Sequence, residues 1–311
     1  MFRLTQKIKR NLVFLWPLLL PTLLVAGESA RVSVFDGITR HLEPTTATFG
    51  KSTLNFPGSS LREDSAVYSV EASVAPHFTL FQGAFSGPLG GAYRVNITPK
   101  FVVRRSDGVG SNPVRTPSYI PEATLFYSPR DSVDASSYWY LSFGLSHYSN
   151  GQTGPFLRSD GRLNNVDGSF SLWSNTAALH LYNEWPLLPT YKAFQVEYFH
   201  HKENLLDDLY PDVTLSLKMQ TADYVHPAWR GLAGHSRIMM DLNWLVQNTS
   251  ALPDAMKPAP FSTSVTGVYA PGKLFPALAL FGRFYAGFDY YNMNFDNEIY
   301  RLDVGVMLDL H

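Results

Sequence analysis

His147 and Ser149 stand two residues apart in the stretch WYLSFGLSHYSNGQTG, Trp139 to Gly154. A serine hydroxyl becomes a useful nucleophile when a neighbouring base takes its proton, and an imidazole is the usual base. On an extended strand, residues i and i+2 project to one side with Cα atoms about 6–7 Å apart, so the two groups are within reach of each other. The chemistry this allows is acyl transfer, with Ser149 as nucleophile and His147 as general base. The face they share is odd for such a pair, because Trp139, Leu141, Phe143 and Leu145 occupy the same alternate positions. No Gly-x-Ser-x-Gly segment occurs in the chain, which removes the strand-to-helix nucleophile elbow as the route to serine chemistry.

A base of this kind needs a third group to fix its tautomer and direction. The segment SFSLWSNTAALHLY, Ser169 to Tyr182, alternates in the same way. Trp173, Asn175, Ala177, Leu179 and Leu181 form one face, and Ser174, Thr176, Ala178 and His180 form the other. If this strand lies beside the first, Asn175 shares the apolar face with His147 and its carbonyl can accept from the imidazole N–H. Choosing Ser174 instead would turn His180 onto the apolar face, so the alternation selects Asn175. The adjacent His200 and His201 look like a metal pair, but neighbouring strand residues point to opposite sides, which favours a loop or interface role.

The elements that must position these residues are strands. Val213, Leu215, Leu217 and Met219 alternate with Thr214, Ser216, Lys218 and Gln220, and Ile238, Met240, Leu242, Trp244 and Val246 alternate with Arg237, Asp241 and Asn243. The closing segment sets Tyr300, Leu302, Val304, Val306, Leu308 and Leu310 against Arg301, Asp303, Gly305 and Asp309. Such segments of about ten residues, separated by Asn, Asp, Gly and Pro clusters, are the pattern of an outer-membrane β-barrel. A soluble sandwich alternates too, since one face of each sheet is buried. The barrel is favoured by aromatics near strand ends, by alternation that continues to the C-terminus, and by the start of the chain.

That start carries Arg3, Lys7, Lys9 and Arg10, then an apolar run from Leu12 to Ala26 broken by Pro17 and Pro21, then small residues. It reads as a secretory signal peptide over 1–27 and leaves 28–311 as one barrel domain; the run is short of the roughly 20 residues a spanning helix needs. Removing the leader before Glu28 takes four basic residues with it, so 21 remain against 26 acids, a net charge of −5. This balance argues against nucleic acid as a partner. The absence of cysteine excludes disulfides and thiol chemistry. The mature length suits roughly 10 to 14 membrane strands.

The sequence HYSNG followed by a Trp-Ser-Asn strand resembles the outer membrane phospholipase A family, whose motif is His-x-Ser-Asn-Gly with an asparagine orienting the histidine. Two further stretches agree. NPVRTPSYIPEATLF resembles the family's Pro-x-Arg-x-x-x-Tyr-x-Pro segment, and YNMNFDNEIYRLDVGVMLDL resembles its closing strand. The resemblance implies an all-β transmembrane antiparallel barrel of 12 strands in the outer membrane. It also implies calcium-dependent hydrolysis of the acyl esters of glycerophospholipids, and activation by homodimer formation with calcium at the interface. Carried over by position, the calcium ligands are Ser111, the backbone carbonyl of Gln152, and Ser171; the oxyanion donors are the backbone N–H groups of Ser149 and Gly151.

This chain departs from the family pattern in two places. The loop between Ser149 and Asn175 is longer and carries Asp160, Asn164, Asn165 and Asp167, so Asp160 is an alternative calcium ligand to a displaced Ser171. The chain ends in His311 where barrels of this kind carry a terminal aromatic. The rival readings are a lipid A deacylase, which resembles a smaller barrel with a carboxylate as third member, and a non-catalytic porin-like barrel. In the latter, polar groups on the lipid face would be costly and without use.

Overall fold

The structure, a computed structural model, describes residues 33–39, 41–51, 68–85, 90–106, 114, 116–129, 137–183, 189–202, 206–229, 232–246, 260–271, 277–295 and 297–308. The leader, Ser111 and His311 lie outside the described residues. Fourteen strand segments follow one another: β1 (Thr45–Lys51), β2 (Tyr68–Val74), β3 (Phe78–Ala84), β4 (Ala92–Ser106), β5 (Ser118–Ser128), β6 (Ser137–Ser149), β7 (Ser171–Asn183), β8 (Tyr191–His200), β9 (Val213–Gln220), β10 (Tyr224–Trp229), β11 (Leu232–Val246), β12 (Phe261–Ala270), β13 (Leu278–Phe288) and β14 (Glu298–Leu308). Among the described residues two short α-helices accompany them, α1 (Ser33–Thr39) and α2 (Leu206–Leu209).

These segments make 12 staves, because two staves are each broken once. β2 pairs with residues 101–106 of β4 and β3 with residues 92–97, so the pair is one stave interrupted at Ala75–His77. β9 and β10 divide β11 in the same way. Every pairing is antiparallel, each stave lies beside its neighbour in sequence, and β1 closes the ring against β14. Closure leaves no free sheet edge, which a strand in lipid requires.

The distribution of polarity separates a membrane barrel from a sandwich. Outward positions are large and apolar and stand exposed: Phe49, Phe194, Val196, Ile238, Trp244, Leu280, Leu302 and Val304. Inward positions are polar and buried: Glu71, Asn96, Arg104, Ser142, Ser146, Ser174, Thr214, Ser216, Arg301 and Asp303. A soluble sandwich would place its apolar face inside; here it faces out, as hydrocarbon demands. Among the described residues no helix is long and apolar enough to cross a membrane.

The interior is filled rather than left open. Arg104 donates to Glu71 at 2.6 Å and to both oxygens of Asp289 at 2.6 and 2.8 Å, and its guanidinium lies over the rings of Tyr290 and Tyr291. Arg283 reaches Asp303 at 2.8 Å, and Arg301 also contacts Asp303. At one end of the barrel α1 packs Phe35 and Ile38 against the inward-facing Phe126, Tyr140 and Ala193. At the other end an apolar cluster seals the mouth, built from Tyr148, Phe156, Leu163, Phe170, Leu172, Phe199, Leu206, Met293 and Phe295. His147 and Ser149 sit at this second end.

Candidate active site

β6 alternates strictly: Ser142, Gly144, Ser146 and Tyr148 are buried inside, while Leu141, Phe143, Leu145, His147 and Ser149 point outward. The outward direction of His147 and Ser149 is held by the residue between them. The Tyr148 hydroxyl donates to the Tyr290 carbonyl at 2.9 Å, lies 3.2 Å from Ser118 Oγ, and accepts from the Asn292 N–H. Burial raises the Tyr291 hydroxyl and the Asp289 carboxyl in this interior loop above their usual ranges, the latter against the opposing charge of Arg104. Both side chains therefore belong to a dry, tightly bonded plug beneath the outward-facing pair.

β7 lies against β6 along its whole length, with Ser149 opposite Ser171, His147 opposite Trp173, and Leu145 opposite Asn175. The side chains of Trp173, Asn175 and Leu179 are on the outward face, whereas Ser174 is inside, 2.8 Å from Ser146 Oγ and donating to Glu197 at 2.7 Å. His180 is also inside, bonded to Ser142 and to the Tyr191 hydroxyl. Asn175 is thus diagonal to His147 on the same side of the sheet, a spacing that longer side chains bridge. His147 Nδ1 is buried with no hydrogen-bond partner among the described residues, and its ring lies 4.8 Å from that of Trp173. The Asn175 amide instead donates from Nδ2 to His200 Nε2 at 2.8 Å.

The long loop after Ser149 folds back into the barrel mouth. Asn150, 3% exposed, holds both of its ends: Nδ2 donates to the Gly168 carbonyl at 2.8 Å, and Oδ1 accepts from the N–H groups of Gln152 and Phe170 at 3.1 Å each. Gly151 turns the chain with φ of 67°, a left-handed conformation that favours glycine. Gly154 lets the Asp167 backbone approach so closely that an added Cβ would lie 2.4 Å from its carbonyl oxygen. The extra loop length is taken up by a small hairpin from Leu157 to Leu163, and Ser171 remains directly across from Ser149. Asp160 is at the tip of that hairpin, accepting from the Arg162 N–H, and does not line the space beside Ser149.

That space is a cleft of about 760 Å³ lined by Ser149, Gly151, Gln152, Leu157, Phe170 and Ser171, among others. The structure therefore brings together Ser149, Gly151, Gln152 and Ser171 and sets His147 beside them; Asp160 stays apart. From the sequence Asn150 carries no site role, and His200 enters only as one of a histidine pair with a loop or interface role. Each acts through register, Asn150 on Gly168 and Phe170, His200 on Asn175. Replacing Asn150 with Ala leaves buried loop groups unpaired, at a cost of about 1–3 kcal/mol for each one. The expected outcome is faster protease cleavage between residues 151 and 169 and lower hydrolytic activity, with the barrel itself still folded, as read by gel mobility before and after heating.

Residues 70–192, which span β2 to the start of β8, match the family model described as phospholipase A1. The match spans less than half of the chain and supports hydrolysis of phospholipid acyl esters as its activity. Among solved structures, the chain is similar to outer membrane phospholipase A from Escherichia coli, at 16% identity with a TM-score of 0.55, covering 90% of this chain and 98% of that one. It is also similar to the Salmonella typhi outer membrane phospholipase dimer with bound calcium, at 15% identity with a TM-score of 0.54 and the same coverage. At these identities the likeness concerns the fold, and it agrees with the 12 staves described above. No curated protein matches the sequence.

Proposed function

We propose that the protein is a calcium-dependent phospholipase of the outer membrane, exported by the leader at 1–27, whose active site lies on the lipid-facing side of the barrel at its rim. The observation that carries this reading is the outward direction of His147 and Ser149 on an otherwise apolar face, beside a cleft and held from behind by Tyr148. Ser149 attacks the acyl carbonyl of a phospholipid lying against the barrel. His147 takes the hydroxyl proton and returns it to the departing alcohol, and water then releases the fatty acid from the acyl-enzyme by the reverse transfer. Asn175 turns its carbonyl to His147 Nδ1 and so leaves Nε2 free to act as the base. The Ser149–His147 hydrogen bond closes when lipid occupies the cleft; such bonds are often open in resting sites. The N–H groups of Ser149 and Gly151 are the oxyanion donors.

Calcium fits the donors present. The Gln152 carbonyl and the Ser171 hydroxyl belong to residues lining the cleft beside Ser149, and both are hard, neutral oxygens of the type calcium accepts. Ser111 is the third proposed ligand. When bound there, the ion supplies positive charge beside the carbonyl oxygen under attack. The Salmonella protein is a dimer with calcium, and a homodimer is the active form proposed for this chain.

Fatty-acid release from phospholipid mixed micelles, measured with calcium and with excess chelator, tests this function. Release with calcium and its loss in chelator are expected. Undiminished release in chelator would remove the metal from the account. Release from lipid A but not from glycerophospholipid would point to the deacylase reading instead.

A further inference from the structure

From β6 to β8 the outward face at the rim carries a row of three rings, His147, Trp173 and His200, which the strand register places side by side. One row further from the rim, Asn175 lies between Leu145 and Tyr198. Asn175 is thus diagonal to both histidines, with one on either flank. Its hydrogen bond, from Nδ2 to His200 Nε2, goes to the histidine on the far side from Ser149.

An asparagine serving a general base has an intrinsic weakness. The two ends of its side chain are nearly the same shape, so the amide can turn over and present N–H₂ where a carbonyl is needed. His147 must receive the serine proton on Nε2, so its Nδ1 carries hydrogen and requires an acceptor. Only the Oδ1 end of Asn175 meets that need; the N–H₂ end would face an N–H. The unflipped amide must then place its own N–H₂ on an acceptor, on a face where lipid provides none.

His200 supplies that acceptor. To accept at Nε2 it must be neutral and carry its hydrogen on Nδ1, and that Nδ1 is buried with no partner among the described residues. With nothing at Nδ1 to choose the tautomer, the bond from Asn175 to Nε2 is what sets it. The His200 ring is held by Tyr198, stacked at 5.9 Å, and by His201, edge-on at 4.8 Å.

We infer that His200 is a positioning residue of the site: it holds the Asn175 amide by its N–H₂ end, so that the carbonyl end is kept for His147. The inference rests on the roles proposed above for Ser149, His147 and Asn175. It extends the arrangement by one member, to Ser149, His147, Asn175 and His200 in order across three strands.

The test is a double-mutant cycle read with purified protein in phospholipid mixed micelles. His200→Leu is expected to lower kcat about tenfold with KM changed by less than about twofold, since alignment of the base is lost and lipid binding is not. His200→Gln, which keeps an acceptor, is expected to recover most of that loss. In an Asn175→Ala background, His200→Leu should have no further effect. Full kcat in His200→Leu, a loss of the same size in the Gln variant, or equal losses in the two backgrounds would overturn the inference.

A second measurement does not depend on activity. In ¹⁵N NMR of histidine-labelled barrel, wild-type His200 should show the Nδ1–H tautomer and lose that preference in Asn175→Ala. An Nε2–H tautomer in the wild type would overturn the inference even if hydrolysis is confirmed. A wild type that shows the Nδ1–H tautomer but releases no fatty acid would instead place the failure with the proposed function.

Discussion

Ser149→Ala is expected to abolish fatty-acid release, with a fall of about a thousandfold or more, while the barrel still folds and shifts its gel mobility on heating. The size follows from the role. When a nucleophile is removed from a site of this kind, only the oxyanion donors and binding remain, and these give a small part of the rate. Folding should be spared because Ser149 is the last residue of β6, outward-facing and only half-buried. The ladder with Ser171 is made by backbone groups and does not need the hydroxyl. Release by Ser149→Ala within tenfold of wild type would remove Ser149 from the mechanism.

The second large effect concerns stability. Arg104→Met is expected to destabilise the barrel by about 3–5 kcal/mol, the usual cost of leaving the partners of a buried ion pair uncompensated. Arg104 is 2% exposed and binds Glu71 and Asp289 at once. Without it, Glu71 keeps the Tyr290 hydroxyl at 2.6 Å, with Arg283 at 3.4 Å and Arg301 at 3.9 Å, and Asp289 loses both of its Arg104 contacts. Burial already raises the Asp289 carboxyl, and losing Arg104 pushes it further toward the neutral form. The effect reaches the site because Asp289 opens the loop whose Tyr290 and Asn292 backbones bind Tyr148. Urea unfolding in detergent, followed by tryptophan fluorescence, should show an earlier midpoint. An unchanged midpoint would mean that the interior charges do not hold the plug.

Much of the barrel was legible from alternation alone, because the period of two survives wherever a strand separates lipid from a polar interior. The face assignments for Val213 to Gln220 and for the closing strand agree with the structure for the residues described. Blurring at Met239 and Leu245 has a physical source: both sit on the inner side, Leu245 fully buried and Met239 packed against the interior cluster of Val268 and Phe281. The count of 12 came from the family resemblance and not from the pattern. Two staves are broken at Ala75–His77 and Thr221–Asp223, and a count of segments alone gives 14. The interior helix at Ser33–Thr39 left no signal, since seven residues are too few for a helical period and its stability comes from contacts inside the barrel.

At the site, the i, i+2 spacing was sufficient to place His147 and Ser149 on one outward face, and alternation placed Asn175 outward and Ser174 and His180 inward. The partner of Asn175 was not legible. Whether His200 lies near it depends on the register between β7 and β8, which is set across the intervening turn and by packing on both strands. The role of Asn150 was hidden for a similar reason: its partners Gly168 and Phe170 are 18 and 20 residues away in a loop with no period of its own. Ser111 falls outside the described residues, so its place beside Gln152 and Ser171 rests on the resemblance.

Ser149, on the lipid-facing rim, is proposed as an activated nucleophile. Its most direct test is labelling of the detergent-solubilised protein with an alkyl fluorophosphonate, followed by peptide mass spectrometry. A single adduct on Ser149, absent in His147→Ala, is the result this account requires. Labelling at another residue, or equal labelling of Ser149 without His147, would contradict it.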